Sequence, residues 1–120
     1  MLINLTNHAS SDWTVDQLKA SEEYGKIIDV TFPFIDPEWD ESVIEIVASD
    51  YTDKCIKMIG SDLINSAVHI MGEMTFCHSM VKKLRDAGIK CLASTTKREV
   101  TAEGSLKLTE FRFVRFREYS

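Results

Sequence analysis

The stretch Ala67-Val68-His69-Ile70-Met71, followed directly by Gly72-Glu73-Met74-Thr75, decides the fold of this 120-residue chain. Its first five residues are apolar except for His69, which is typical of a parallel strand buried on both faces. The residues after it repeat at helical spacing, with Met74, Cys77, Met80, Val81 and Leu84 forming one apolar stripe. A buried strand that leads straight into an amphipathic helix indicates an α/β domain with a parallel sheet.

Four further segments have the composition of strands. Residues 2–6, 26–32 and 89–95 are rich in Ile, Leu, Val and Phe. Residues 106–118 predict one long final strand after a turn at Glu103-Gly104. Its alternation slips at Val114-Arg115, which predicts either a β-bulge or a change of the exposed face there.

Helices are predicted between the strands. Thr14-Val15-Asp16-Gln17 has the form of a capping box, and Gly25 is suited to the end of that helix. Asp36-Pro37 predicts the start of a second helix, which Gly60 ends. Gly88 ends the third helix. The alternation of strands and helices predicts a single Rossmann-like α/β domain over residues 1–120, a three-layer sandwich with strand order 2-1-3-4-5 and an antiparallel C-terminal edge strand.

Composition limits the classes of function. The chain is 44% apolar and 28% charged, as expected of a globular domain. No apolar run approaches the roughly 20 residues that cross a bilayer, and no basic start with an apolar stretch marks a secretory signal. We therefore expect a cytoplasmic protein without a membrane partner.

The charge is distributed unevenly along the chain. Residues 1–89 carry 7 Lys and Arg against 15 Asp and Glu, whereas residues 90–120 carry 7 against 4. An acidic body does not favour duplex DNA, whose binding depends on neutralised phosphates. The basic C-terminal part can still bind a small anion, or can simply be a solvated strand face.

The cysteines and the missing motifs exclude several enzyme classes. Cys55, Cys77 and Cys91 are odd in number and lie within apolar patterns, so we expect small core residues rather than disulfides or zinc ligands. The chain has no Walker loop, dinucleotide fingerprint or nucleophile elbow. We predict no metal and no cofactor.

Polar clusters follow three of the predicted parallel strands, and ligands of open α/β sheets bind at that edge. The first cluster contains Asn7, His8 and Ser10. His8 has an imidazole that can transfer a proton, while Asn7 can orient a phosphate or a ribose hydroxyl. The residues around Ser10 have the alternative role of capping the next helix.

The second cluster is the predicted helix start that includes Gly72 and Thr75. Free amides and the positive end of the helix dipole favour an anion there, and Gly72 would allow a ligand close to the backbone. Glu73 would repel such an anion, and its alternative role is to complement the helix dipole.

The third cluster, Ser94-Thr95-Thr96-Lys97-Arg98, has the composition of a phosphate-binding loop. Its three hydroxyls and two cations can bind phosphate oxygens, and Arg98 can bind two oxygens at once. Arg112, Arg115 and Arg117 either extend this surface or protect an exposed edge strand.

The chain resembles small bacterial CRISPR-associated proteins with a Rossmann-like domain, related to CRISPR-associated Rossmann fold domains and ring nucleases. The resemblance is carried by residues 4–8 (NLTNH), 69–75 (HIMGEMT), 93–98 (ASTTKR) and 110–119 (EFRFVRFREY). Proteins of this group bind, and some cleave, cyclic oligoadenylates at the two-fold axis of a homodimer. The resemblance therefore implies antiviral defence, a homodimer and ligand contacts from the loops after strands 1 and 4.

Our leading hypothesis is a cyclic oligonucleotide-binding protein that acts as a metal-independent ring nuclease. A ribose 2′-hydroxyl would attack its own phosphodiester, with Lys97 and Arg98 stabilising charge and His8 moving the proton. Two alternatives remain open: a noncatalytic homo-oligomeric interaction protein that uses the C-terminal strand, and an enzyme that acts on a small phosphorylated metabolite.

Overall fold

The computed structural model describes residues 1–120 and contains one five-stranded sheet. The strands are β1 (Leu2–Leu5), β2 (Ile27–Asp29), β3 (Ala67–Ile70), β4 (Lys90–Glu103) and β5 (Leu106–Glu118). Their spatial order is β2-β1-β3-β4-β5. The first four strands run parallel, and β5 pairs antiparallel with β4. The predicted fold class and strand order are thus confirmed.

Three α-helices cover the sheet: α1 (Val15–Ser21), α2 (Glu41–Ile59) and α3 (Met74–Asp86). Two short 3₁₀ turns, Ser10–Asp12 and Glu22–Tyr24, flank α1. Glycines with positive φ follow α2 and α3, at Gly60 and Gly88, as the sequence predicted. None of the helices is both long and apolar enough to span a bilayer.

The sheet has a larger core on one face than on the other. Alternate residues of β1 and β3, such as Ile3 and Val68, pack with α2 and α3 in a cluster of 14 buried residues. The opposite face holds a cluster of four: Leu2, Trp13, Ala67 and Leu92. All three cysteines are buried and free, which confirms their assignment to the core.

The second helix begins later than Asp36-Pro37 predicts. Asp40 caps it, accepting hydrogen bonds from the amides of Ser42 at 3.0 Å and Val43 at 3.3 Å. Asp36 instead accepts from the amide of Glu38 at 2.9 Å and closes a turn. Aspartate is a suitable N-cap residue at both positions, but the buried residues along one face of α2 begin only after Asp40.

The last two strands extend well beyond the other three. β4 was expected to end at Thr95 but continues to Glu103, and the C-terminal strand was correctly predicted as residues 106–118. We call residues 96–113 the arm. At about 3.4 Å per residue, Thr96–Glu103 reaches about 27 Å past the carboxyl edge of the sheet.

A bulge marks the base of the arm. Thr95 pairs with Arg115, but the next residue, Thr96, pairs with Phe113, so Val114 is the extra residue of β5. The bulge that the sequence predicted at Val114-Arg115 is therefore confirmed. It lies where the ribbon leaves the body of the protein.

Candidate functional site

The carboxyl ends of β1, β3 and β4 lie side by side. The amide of Met71, just after β3, donates to the Leu5 carbonyl at the end of β1 over 3.4 Å. On its other side, Met71 Sδ lies 3.3 Å from the amide nitrogen of Ser94 and 3.1 Å from its Oγ. The three segments that the sequence predicted to meet therefore meet at one edge.

Behind this edge, Asn4 is the hub of a buried polar network. Its Nδ2 donates to Asp29 Oδ1 and to the His8 carbonyl, both at 2.8 Å. Its Oδ1 accepts from Thr6 Oγ1 at 3.0 Å and lies 2.9 Å from His69 Nδ1. The register places Asp29, Asn4 and His69 directly across from one another on β2, β1 and β3.

His69 is held neutral in this network. The amide oxygen of Asn4 can only accept, so Nδ1 of His69 carries the proton, and its Nε2 is buried without a partner. The ring lies edge-on to Trp13 at 5.4 Å and to Phe116 at 5.2 Å. Burial lowers the pKa of His69 to about 4. His69 is therefore a hydrogen-bonded residue of the core.

Asp29 anchors the loop that follows β1. Its carboxylate accepts from the Ser10 amide at 2.9 Å and from Ser10 Oγ at 2.7 Å. Partial burial raises the pKa of Asp29, but the hydrogen bonds from Asn4 and Ser10 outweigh that effect, and the pKa lies below its usual range. Ser10, predicted as a ligand contact, is thus engaged in holding the loop.

The loop presents Asn7 and His8 to solvent. Both are exposed, and neither side chain makes a hydrogen bond within the chain. Asn7 lines a small cavity of about 230 Å³ together with Asn4, Asp29 and Phe32. These two residues keep free polar groups at the edge, as a binding role requires.

The start of α3 is already occupied by the chain's own carboxylate. Glu73 accepts from the Phe76 amide at 2.7 Å and from Thr75 Oγ1 at 2.7 and 2.8 Å. The Phe76 amide, followed by the Thr75 hydroxyl, lowers the pKa of Glu73. The alternative role given to Glu73, complementing the helix dipole, is the one that the geometry supports, and Thr75 serves the cap.

Gly72 is required by packing. A Cβ at this position would lie 2.3 Å from Phe32 Cζ, well inside contact distance. The missing side chain makes room for the Phe32 ring, which in turn lies 5.2 Å from Phe76, edge to face. The neighbour that comes close to the Gly72 backbone in this structure is the Phe32 ring, and a ligand contact at Gly72 stays a prediction.

Residues 94–98 lie in strand β4 and not in a loop. A hydrophilic strand of an exposed ribbon has no apolar alternation, so its sequence looks like that of a loop. Thr95 Oγ1 donates to the Arg115 carbonyl at 3.1 Å, whereas Thr96, Lys97 and Arg98 are exposed without side-chain partners. Of the third cluster, these three residues have free polar groups.

Sequence reasoning missed a cleft beside α3. It has a volume of about 720 Å³ and runs along α3 between that helix and the chain end at Tyr119. Apolar side chains and three basic ones line it, including Met71, Met74, His78, Lys82, Arg85 and Tyr119. The spacing of His78, Lys82 and Arg85, which places three basic side chains on one face of α3, could have indicated this cleft.

A family model described as the uncharacterized protein MJ1673 family matches residues 1–117. No curated protein matches the chain. No solved structure matches it either.

Proposed function

We propose that this chain, which belongs to the uncharacterized protein MJ1673 family, binds a phosphate-bearing ligand at the carboxyl edge of the sheet. A cyclic oligoadenylate is the first candidate, because it is the ligand class of the CRISPR-associated proteins that the chain resembles. One observation supports this proposal above others. The free polar side chains of Asn7 and His8 follow β1, and those of Lys97 and Arg98 follow the point where β4 passes the same edge.

The charge distribution supports an anionic ligand at this position. Residues 1–89 carry 15 acidic residues against 7 basic ones, so the body repels polyanions in general. Lys97 and Arg98 provide adjacent cations where the arm leaves the body. Because consecutive residues of a strand point to opposite faces, one cation lies on each face of the ribbon.

The proposal includes cleavage of the ligand. A ribose 2′-oxygen bonds to the adjacent phosphorus while the bond to the 5′-oxygen breaks, giving a 2′,3′-cyclic phosphate and a 5′-hydroxyl. His8 accepts the proton of the 2′-hydroxyl, and a proton reaches the leaving oxygen from His8 or from solvent. Arg98 stabilises the charge on the phosphoryl oxygens. Lys97 lies on the opposite face of the ribbon and acts on the anion only at longer range.

Calorimetric titration with cyclic oligoadenylates tests the binding claim. Arg98→Ala should weaken binding by about 1 to 3 kcal/mol, the value of a hydrogen bond to a charged group. Arg85→Ala is the matched control, since Arg85 lies near the far end of α3. Equal affinity of wild type and Arg98→Ala would remove Arg98 from the site.

Product analysis in excess EDTA tests the cleavage claim. Wild type should release linear products with cyclic phosphate ends, and His8→Ala should bind without releasing them. Binding without any product would define a receptor. Turnover of a mononucleotide without response to cyclic oligomers would instead favour an enzyme of phosphorylated metabolites.

A second candidate function, a noncatalytic interaction protein, is favoured by the apolar surface of the arm. Val100, Leu106, Leu108 and Phe111 are each more than half exposed. Exposed apolar side chains on a projecting ribbon are suited to an interface. Replacing Leu108 and Phe111 with Ser should abolish self-association and leave ligand binding in place if this candidate is correct. Phe113 and Phe116 are unsuited to this test, because Phe113 is buried and Phe116 packs against Trp13 and His69.

A further inference from the structure

One face of the β4–β5 ribbon carries charges in an ordered pattern. Pairs of directly opposed residues form successive rows along this face. From the body to the tip the rows are Ala93/Arg117, Thr95/Arg115, Lys97/Arg112, Glu99/Glu110, Thr101/Leu108 and Glu103/Leu106. Every residue from Thr96 to Arg112 is exposed except Glu99, which is half-buried, so no other part of the chain covers this face.

The two central rows each hold two like charges. Lys97 lies opposite Arg112, and Glu99 lies opposite Glu110. Like charges directly across a strand pair destabilise it. Within the chain, only the diagonal pair of Arg112 and Glu99 compensates, at 3.6 Å. A positive row next to a negative row is therefore unfavourable for an isolated ribbon.

We propose that this face packs against the same face of a second copy of the chain. A two-fold axis between the rows Lys97/Arg112 and Glu99/Glu110 places each positive row on the negative row of the other copy. Isologous contacts need a patch that is complementary to itself, and this pattern satisfies that need. The opposite face does not, because its charged arm residues, Arg98 and Lys107, are both cations.

The same axis also pairs the outer rows with one another. Because it lies across the strands, Thr101 faces Thr95 and Leu108 faces Arg115, while Glu103 faces Ala93 and lies diagonally from Arg117 of the other copy. One step further, the Gly104-Ser105 turn faces Tyr119, whose amide donates to the Cys91 carbonyl on the body side of the first row. Tyr119 lines the 720 Å³ cleft beside α3, which can then receive the tip of the other arm.

The dimensions indicate how strong this dimer is. Six rows extend about 34 Å, and a two-stranded ribbon is about 10 Å wide, which gives a contact of about 340 Å² per copy. Standard stable interfaces bury about 800 Å² per partner. We therefore expect a weak dimer that depends on salt, with further contact from the arm tip in the cleft.

The test measures molar mass by light scattering at low ionic strength, high protein concentration and without nucleotide. Wild type should approach twice the 13.7 kDa of one chain, and salt near 1 M should return it to one chain, because the Debye length then falls to about 3 Å. Lys97→Glu with Arg112→Glu makes both central rows negative, and Glu99→Lys with Glu110→Lys makes both positive. Each double variant alone should be monomeric.

Mixing the two double variants should restore the dimer as a heterodimer, and the chain with all four changes should dimerise with itself. Arg98→Glu with Lys107→Glu reverses as many charges on the other face and should leave the dimer intact. A monomeric wild type, or a dimer that survives either central reversal, would overturn the proposal. Because no nucleotide is present, this failure would leave the ligand proposal untouched.

Discussion

The body of the protein and its arm belong to the same sheet but differ in how far their side chains are buried. In the body, all residues of β1 and β3 are buried, and even the polar ones, Asn4 and His69, are hydrogen-bonded inside. In the arm, nearly every side chain is exposed, apolar ones included. The body is organised around packing, whereas the arm carries charge and apolar surface that the chain itself does not use.

The comparison separates residues that stabilise the fold from residues available for recognition. Gly72, Thr75 and Ser10 lie near the candidate site, yet their contacts are all within the chain. Lys97 and Arg98 lie in the arm, and their side chains make no hydrogen bond within the chain. Proximity to the edge is thus a weaker indicator of function than the absence of an internal partner.

The largest expected difference in the free energy of unfolding is between two substitutions of Phe by Ala, one in the body and one in the arm. Phe76 is fully buried between Phe32 and Tyr51, so Phe76→Ala should lower the free energy of unfolding by about 4 kcal/mol. Phe111 is 68% exposed, and Phe111→Ala should change it by no more than about 0.5 kcal/mol. Urea denaturation at low protein concentration measures both. Equal losses would mean that the arm is part of the core.

The polar network should be nearly as important as the apolar core. Asn4→Ala removes the partner of buried His69 and of Asp29, and we expect a loss of about 3 kcal/mol. Asn65→Ala is the control, because Asn65 is exposed and its amide donates only to Asp62. A loss in Asn4→Ala no larger than in the control would show that the network contributes little.

Acid should weaken the body through His69. Its pKa is about 4 in the folded protein against 6.5 in the unfolded chain, so the unfolded state binds the proton first as the pH falls. The contribution of His69 is complete above pH 6.5 and is lost down to about pH 4, by about 3 kcal/mol at most. His69→Gln should flatten the free energy of unfolding across this window. His78→Gln, at an exposed position, should leave the slope unchanged; the opposite pattern would refute the assignment.

Among the residues of the body, the smallest loss should come from Gly72. Gly72→Ala forces its new methyl group against Phe32 and should cost about 2 kcal/mol. Phe32→Ala combined with Gly72→Ala should recover part of that cost, because the clashing ring is gone. If the free energy of unfolding of the double variant falls by the sum of the two single losses, the contact with Phe32 does not explain why glycine occupies position 72.

The sequence predicted the architecture well because its signals were local and strong. The apolar run at Ala67–Met71 and the spacing of the glycines after the helices determined the element order. The bulge at Val114 was visible as a slip in alternation. The length of β4 was not predictable, since residues 96–103 have no apolar face to reveal a strand.

The candidate site was predictable in position but not in its internal roles. Polar residues at strand ends located the edge, yet their hydrogen bonds depend on residues far away in the chain. The sequence reasoning gave Asn4 no role of its own, although an asparagine within the apolar run of β1 indicates a buried, hydrogen-bonded side chain. The alternative role of Glu73, to complement the dipole at the start of α3, was predictable because capping is an interaction between residues close in sequence.

We propose that the body holds the fold while the arm provides recognition. The most direct test titrates cyclic oligoadenylates into a chain in which a two-residue Asn-Gly turn replaces residues 97–112, beside wild type. We predict that the shortened protein unfolds cooperatively near the wild-type midpoint but no longer binds the ligand that wild type binds. A folded, shortened protein with wild-type affinity would contradict the claim and place recognition within the body.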